Sequence, residues 1–151
     1  MRNRRRAPTS WLRSAGLAAL CGARTMWGPV FLSTHSRPLR RFRPLILCLA
    51  AGELLIDKAP GIPDRTLPAP LIARAVMGSL VAVASRPRGG PAPALLAALL
   101  GAAAAGASTA VAFQLRRLAT RGLGGSPLAN LVSGAIEDGL AVAGGRWLTR
   151  A

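Results

Sequence analysis

The stretch that decides the fold is PALLAALLGAAAAGASTAVAFQL, residues 93–115. It contains no charged residue, and Arg116, Arg117 and Arg121 follow it closely. A transmembrane helix needs about 20 predominantly apolar residues to cross a hydrocarbon layer roughly 30 Å thick. Arginines beside such a helix anchor it in the lipid head groups. The sequence therefore predicts a membrane-spanning helix here.

Four further apolar segments accompany this one, at about 14–34, 44–56, 71–85 and 128–148. The segments 44–56 and 71–85 are short, in the range where re-entrant or interfacial segments compete with true spans. Together the five predict an all-α fold, a polytopic membrane helix bundle of about four to five hydrophobic segments. This membrane domain occupies residues 14–148 and follows a basic N-terminal tail, residues 1–13.

The N-terminus imitates a secretory signal, because a basic tail precedes the apolar stretch 15–23. The apolar character resumes after Arg24, however, so we interpret residues 14–34 as a retained first membrane segment. No acidic residue precedes Glu53. An organelle transit peptide therefore stays open as an alternative.

The strong positive charge of the chain has two interpretations. The formal net charge is +15 at pH 7, which would ordinarily indicate a nucleic-acid partner. Here most of the basic residues lie just outside the apolar runs, no RNA- or DNA-binding motif accompanies them, and aromatic residues make up only 4% of the chain. We therefore expect the lipid bilayer as the partner and no nucleic acid.

A repeated arrangement relates the two halves of the chain. Residues 22–25, Gly-Ala-Arg-Thr, recur as residues 106–109, Gly-Ala-Ser-Thr, and at the same offset Glu53 falls on Glu137. If all five segments cross the membrane, the fourth and fifth segments are inverted relative to the first and second. Inverted repeats are therefore the predicted architecture.

Two small-xxx-small spacings in the fourth segment, Gly101 with Ala105 and Gly106 with Ala110, predict a helix-packing surface. Small residues let helix backbones approach closely in lipid. The alternative is that an alanine-rich helix contains such spacings by accident.

Charged residues inside or bordering the apolar segments form the candidate site. These are Arg24, Glu53, Asp57, Lys58, Arg74, Glu137 and Asp138. Placing an unpaired charged side chain in the hydrocarbon core costs about 2.5 kcal/mol or more. We therefore expect these residues to form ion pairs across helices. The predicted pairs are Arg24 with Glu137 or Asp138, and Arg74 with Glu53 or Asp57.

Enzymatic and metal-binding constellations are absent from the sequence. His35 is the only histidine, and Cys21 and Cys48 lie in apolar runs without metal-ligand spacing. The glycine-rich stretches lack the phosphate-loop lysine. We therefore expect no catalytic residue, no metal and no cofactor, and the prediction is that the chain is not an enzyme.

The run 53–60, ELLIDKAP, followed by 63–66, PDRT, and then by Leu71, Arg74 and Gly78, resembles a small bacterial membrane-protein family. That family is catalogued only as a domain of unknown function (four-one-two-six). The resemblance covers about residues 14–145 and implies an integral membrane protein without an established activity. Its motif residues correspond here to Glu53, Asp57, Lys58, Pro60, Arg65, Thr66, Arg74, Glu137 and Asp138.

Two functions follow from the charged cluster. The first is a small transporter or permeation protein in which the cluster passes a proton, an ion or a small solute. The alternative is a structural or assembly membrane protein whose buried ion pairs only fix helix register. A soluble basic binding protein is a third, distant option. The expected location is the bacterial cytoplasmic (inner) membrane, multi-pass, as a homo-oligomer, since one small chain leaves little room for an enclosed pathway.

Overall fold

A computed structural model describes residues 11–56, 68–86, 90–122 and 127–150. All regular structure in these ranges is helical, which confirms the all-α class. The helices are α1 (Trp11–Ala23), α2 (Trp27–His35), α3 (Arg37–Arg40), α4 (Arg43–Ile56), α5 (Pro68–Ser85), α6 (Pro91–Gly122) and α7 (Pro127–Arg150).

The apolar stretch 14–34 forms two helices rather than one. A turn separates α1 from α2, and α2 folds back so that Gly28 lies against Cys21 Sγ and the Leu17 carbonyl oxygen of α1. At 1.5 Å of rise per residue, α1 with 13 residues and α2 with 9 are each well short of the roughly 30 Å of a hydrocarbon core. The α1–α2 pair is therefore a broken helix, and neither part is long enough to span.

Three helices, α1, α5 and α6, form the centre of the fold. At the crossing of α5 and α6, a Cβ atom added to Gly78 would lie 2.6 Å from both the Gly101 carbonyl oxygen and the Ala105 Cβ. Only glycine permits this backbone approach. The predicted spacing of Gly101 with Ala105 is therefore a true packing surface. Gly106 has nothing within 4 Å of an added Cβ, so the second predicted spacing makes no such contact within the described residues.

The crossing of α1 and α6 also depends on small and hydroxyl-bearing residues. Gly22 lies directly against Ser108 and Thr109. The Thr109 hydroxyl donates to the Gly22 carbonyl oxygen at 3.0 Å, and the Ser108 hydroxyl donates to the Ala19 carbonyl oxygen at 2.5 Å. Hydrogen bonds of this kind hold helices together where lipid supplies no hydrophobic driving force.

Within the described part of the chain, α5 and α6 are the two helices long and apolar enough to cross a membrane. Only 28% of the α5 window and 22% of the α6 window are buried inside the structure. The core of a water-soluble protein would bury most of such a helix. The remaining predicted segments do not meet the same test, so a bundle of four to five spans stays a prediction.

The helices place small residues inside and large apolar residues outside. The buried core includes Ala18, Ala82, Ala97 and Ala105. The exposed large residues of α6 are Leu95, Leu96, Leu99, Leu100, Val111, Leu115 and Leu118. An apolar surface of this extent is unusual for a monomer in water and typical of helices that pack through small residues in lipid.

The repeated sequence is not accompanied by matching helices. Residues 22–25 cross the end of α1 and the turn that follows it, whereas residues 106–109 lie inside the unbroken α6. Glu53 lies near the end of α4, whereas Glu137 lies in the middle of α7. The structure therefore gives the inverted-repeat prediction no support.

Candidate functional site

The Glu53 carboxylate caps the N-terminus of α2. The backbone N–H of Thr25 donates to Glu53 Oε1 at 2.7 Å, and that of Met26 donates to Oε2 at 2.9 Å. The first N–H groups of a helix have no partner within the helix, and its dipole favours a negative charge at this end. Because Glu53 belongs to α4, these two hydrogen bonds join the end of α4 to the start of α2.

Arg24, in the turn between α1 and α2, forms a two-point ion pair with Asp138 of α7. Its Nε lies 2.5 Å from Asp138 Oδ1, and its Nη2 lies 3.0 Å from Oδ2. The Arg24 side chain is 7% exposed and that of Asp138 is 27% exposed. Paired contacts between the planar guanidinium and a carboxylate fix both distance and orientation. The prediction that Arg24 pairs with Glu137 or Asp138 is confirmed, with Asp138 as the partner.

Glu137, the neighbour of Asp138, pairs with a different helix. Its carboxylate forms an ion pair with the Arg116 guanidinium of α6. Consecutive helical residues point about 100° apart, so Glu137 and Asp138 cannot face one partner. Adjacent acids of α7 therefore bind two different elements: Glu137 binds α6, and Asp138 binds the turn between α1 and α2.

Arg74 of α5 is buried, with a relative exposure of 6%. Its Nε has no hydrogen-bond partner, and no described carboxylate lies within ion-pair distance of it. It still interacts electrostatically with Glu53 and Glu137, and with Arg24 and Arg116. The predicted contact of Arg74 with Glu53 is thus a longer-range attraction, not an ion pair. The other predicted partner, Asp57, lies outside the described residues.

The structure brings five of the predicted residues into one charged cluster: Arg24, Glu53, Arg74, Glu137 and Asp138. Asp57 and Lys58, and the loop residues Pro60, Arg65 and Thr66, lie outside the described ranges. Their place in the site therefore stays a prediction.

Arg116 belongs to the cluster, but we expected it only as a head-group anchor. A signal for its pairing was present in the sequence. Residue 116 lies 6 positions before the glycine-rich stretch 122–127 and residue 137 lies 10 positions after it. An antiparallel hairpin of α6 and α7 therefore brings them to within about one helical turn of the same height.

The six charges that the structure describes in the cluster balance one another. Three guanidinium groups, of Arg24, Arg74 and Arg116, face three carboxylates, of Glu53, Glu137 and Asp138. A cluster with no net charge is far less costly to bury than one with an excess of either sign. An anion or a proton held here would disturb that balance.

A small niche opens beside the cap of α2. Its volume is about 10 Å³, which is room for about one water molecule. The niche is lined by Arg24, Met26, Trp27, Ala50, Glu53 and Leu54. In this conformation it does not admit an organic solute.

The described residues contain no group of three or more His, Cys, Asp or Glu side chains that could hold a metal ion. Searches of family models, curated proteins and solved structures find no significant match to this chain. The resemblance to the four-one-two-six family therefore stays a prediction.

Proposed function

We propose that this chain is a small, multi-pass integral membrane protein whose charged cluster has a structural role. The cluster fixes the broken α1–α2 pair, α4 and α7 in position around the two spanning helices α5 and α6. The exposed leucines of α6 and the small-residue contacts between α1, α5 and α6 support a lipid environment. Location in a bacterial inner membrane and assembly as a homo-oligomer are part of the same proposal.

The observation that carries this proposal is the two-point ion pair of Arg24 with Asp138. Removing one partner of a buried pair leaves an uncompensated charge and costs about 3–5 kcal/mol. The full cost applies only in part here, since the Asp138 side chain is 27% exposed. Because breaking this ion pair is costly, the pair holds the turn between α1 and α2 in one position against α7. This is the structural role that we propose.

The test is a charge swap in the membrane. Asp138→Asn removes the carboxylate that forms the two-point pair with Arg24, so we expect several-fold lower accumulation of the protein in membranes. Arg24→Asp combined with Asp138→Arg restores the pair in reverse, and accumulation recovers. The matched control is Arg146→Gln, on the exposed side of the same helix, which leaves accumulation unchanged.

Two results would contradict the structural role. One is normal accumulation and stability of the Asp138→Asn protein. The other is failure of the swapped pair to recover any of the lost accumulation, since the attraction between opposite charges does not depend on which helix carries which sign.

A second candidate function is permeation, and Arg74 is the observation that favours it. Arg74 is buried and has no carboxylate within ion-pair distance among the described residues. A buried ionisable side chain in a membrane protein is a functional-site hypothesis by default. Broken helices also border the substrate and ion sites of many transporters. The niche beside Glu53 has room for about one water molecule, which favours a proton as the species to test.

Vesicle flux measurements separate the two functions. If the cluster carries a proton, Glu53→Gln, Glu137→Gln and Arg74→Gln abolish proton flux while the protein still accumulates. If the role is structural, the same changes lower stability and no flux is found in the wild type. A strictly monomeric purified protein would count against permeation.

A further inference from the structure

Four exposed arginines surround the start of α4. We call Arg37, Arg40, Arg41 and Arg43 the arginine collar; they lie in α3, in the turn after it and at the first position of α4. No acidic residue occurs anywhere before Glu53. None of the four forms an ion pair within the described part of the chain. The guanidinium of Arg41 lies over the Phe42 ring, 4.6 Å from its centroid. The collar is thus a concentrated positive surface whose charge no acid in the described part of the chain neutralises.

The helix that follows the collar exposes apolar side chains on more than one side. Leu45, Leu47, Leu49 and Leu55 are 58%, 45%, 50% and 74% exposed. Residues two apart on a helix point in nearly opposite directions, so these leucines do not form a single stripe. The packing of α4 is against α2. With 14 residues, α4 is about 21 Å long and too short to span a bilayer.

Positive charge beside an unpacked apolar helix matches the boundary between head groups and acyl chains. The guanidinium group presents donors in a fork that fits a phosphate at two points. Each arginine close to an anionic membrane surface contributes about 1 kcal/mol, which corresponds to about a fivefold preference. Leucines inserted beside the phosphates would meet acyl chains. A nucleic acid could neutralise the arginines, but it would leave these leucines in water.

We propose that the arginine collar binds the phosphate groups of anionic phospholipids, with α4 embedded beside them in the upper acyl region. This inference rests on the proposed membrane location and names the lipid class recognised there. No acid among the described residues pairs with the collar, so its positive charge favours anionic phospholipids over zwitterionic ones.

Cys48 provides a labelling site for the experiment that tests this proposal. Cys48 lies in α4 and is exposed, whereas Cys21 is buried. A maleimide fluorophore therefore labels Cys48 of the folded full-length protein. The labelled protein is reconstituted in two sets of vesicles, both mostly phosphatidylcholine with a minor share of phosphatidylglycerol. In one set only the phosphatidylglycerol carries brominated acyl chains, and in the other only the phosphatidylcholine does. Quenching by each lipid then reports its local concentration around α4.

We expect phosphatidylglycerol to be enriched around Cys48 about fivefold over its bulk share, the preference of a single arginine. The variant with Arg37→Gln, Arg40→Gln, Arg41→Gln and Arg43→Gln brings that enrichment down to the bulk share. The matched control replaces Arg121 and Arg146, exposed arginines of α6 and α7, by glutamine and keeps the enrichment. About 1 M salt, where the screening length is about 3 Å, reduces it in the wild type.

Equal quenching by the two lipids in the wild type overturns the proposal, and so does enrichment that survives loss of all four arginines. A fluorescence change caused by added RNA, without any lipid preference, would make the collar a nucleic-acid surface and also overturns it. Alkaline carbonate washing of the same vesicles keeps the two proposals distinguishable. If the protein washes off, the membrane location fails; if it stays without lipid enrichment, only the lipid inference fails.

Discussion

The close approach of α5 and α6 makes a quantitative prediction about two glycines of one helix. In Gly101→Ala, the new Cβ would lie 2.6 Å from the Ala82 Cβ, and closer still to the Gly78 carbonyl oxygen. An ordinary contact begins at 3.4 Å, so the two helices must separate by at least about 0.8 Å. A gap of this size forfeits about a quarter to a half of the dispersion energy of the atoms along it. Overpacking of this kind typically costs about 1–3 kcal/mol.

Gly106→Ala is the matched control, because an added Cβ there meets nothing within 4 Å. Both substitutions bring the same gain in helix propensity, at most about 1 kcal/mol. The difference between the two variants therefore isolates the packing cost, and we expect Gly101→Ala to be less stable than Gly106→Ala by about 1–3 kcal/mol. The assay is reversible unfolding in mixed detergent micelles, followed by helical circular dichroism. Equal stability of the two variants, or greater stability of Gly101→Ala, would refute the close packing of α5 on α6.

Three further changes test other contacts. Glu53→Gln removes the negative charge at the start of α2, so we expect the free energy of unfolding to fall by about 0.3–1 kcal/mol. Amide hydrogen exchange at Thr25 and Met26 should also become faster; unchanged exchange would contradict the cap. Thr109→Val removes the hydrogen bond between α6 and α1, and bonds of this kind are worth about 0.6 kcal/mol in membrane proteins. The control Thr149→Val loses hydrogen bonds only within α7, so we expect it to lower the unfolding free energy less in the same assay. In the folded protein, maleimide labels Cys48 readily and Cys21 only after unfolding; equal rates would show that the N-terminal helices are not packed as described.

The best-predicted parts of the fold are those that depend on local composition. The uncharged stretch 93–115 is enough to predict α6, because its length and apolarity are properties of the stretch itself. The pairing of Arg24 with one of two adjacent acids could also be expected, since a charge excluded from water needs an opposite charge nearby.

The break between α1 and α2 could not be predicted in the same way. Gly28 and Pro29, in the first turn of α2, indicate a helix start, but the group that caps the new helix is the remote Glu53 carboxylate. Only the tertiary arrangement brings that acid to the turn. The distance between Arg74 and Glu53, too long for an ion pair, likewise depends on packing that spacing along the chain does not specify.

The ion pair between Arg24 and Asp138 joins residues 114 positions apart, and this has a consequence for biosynthesis. Ribosomes add about 5–20 residues per second, so the aspartate is made roughly 6–23 seconds after the arginine. During that interval the turn between α1 and α2 lacks its contact with α7. The described arrangement of the N-terminal helices is therefore complete only after α7 has been made.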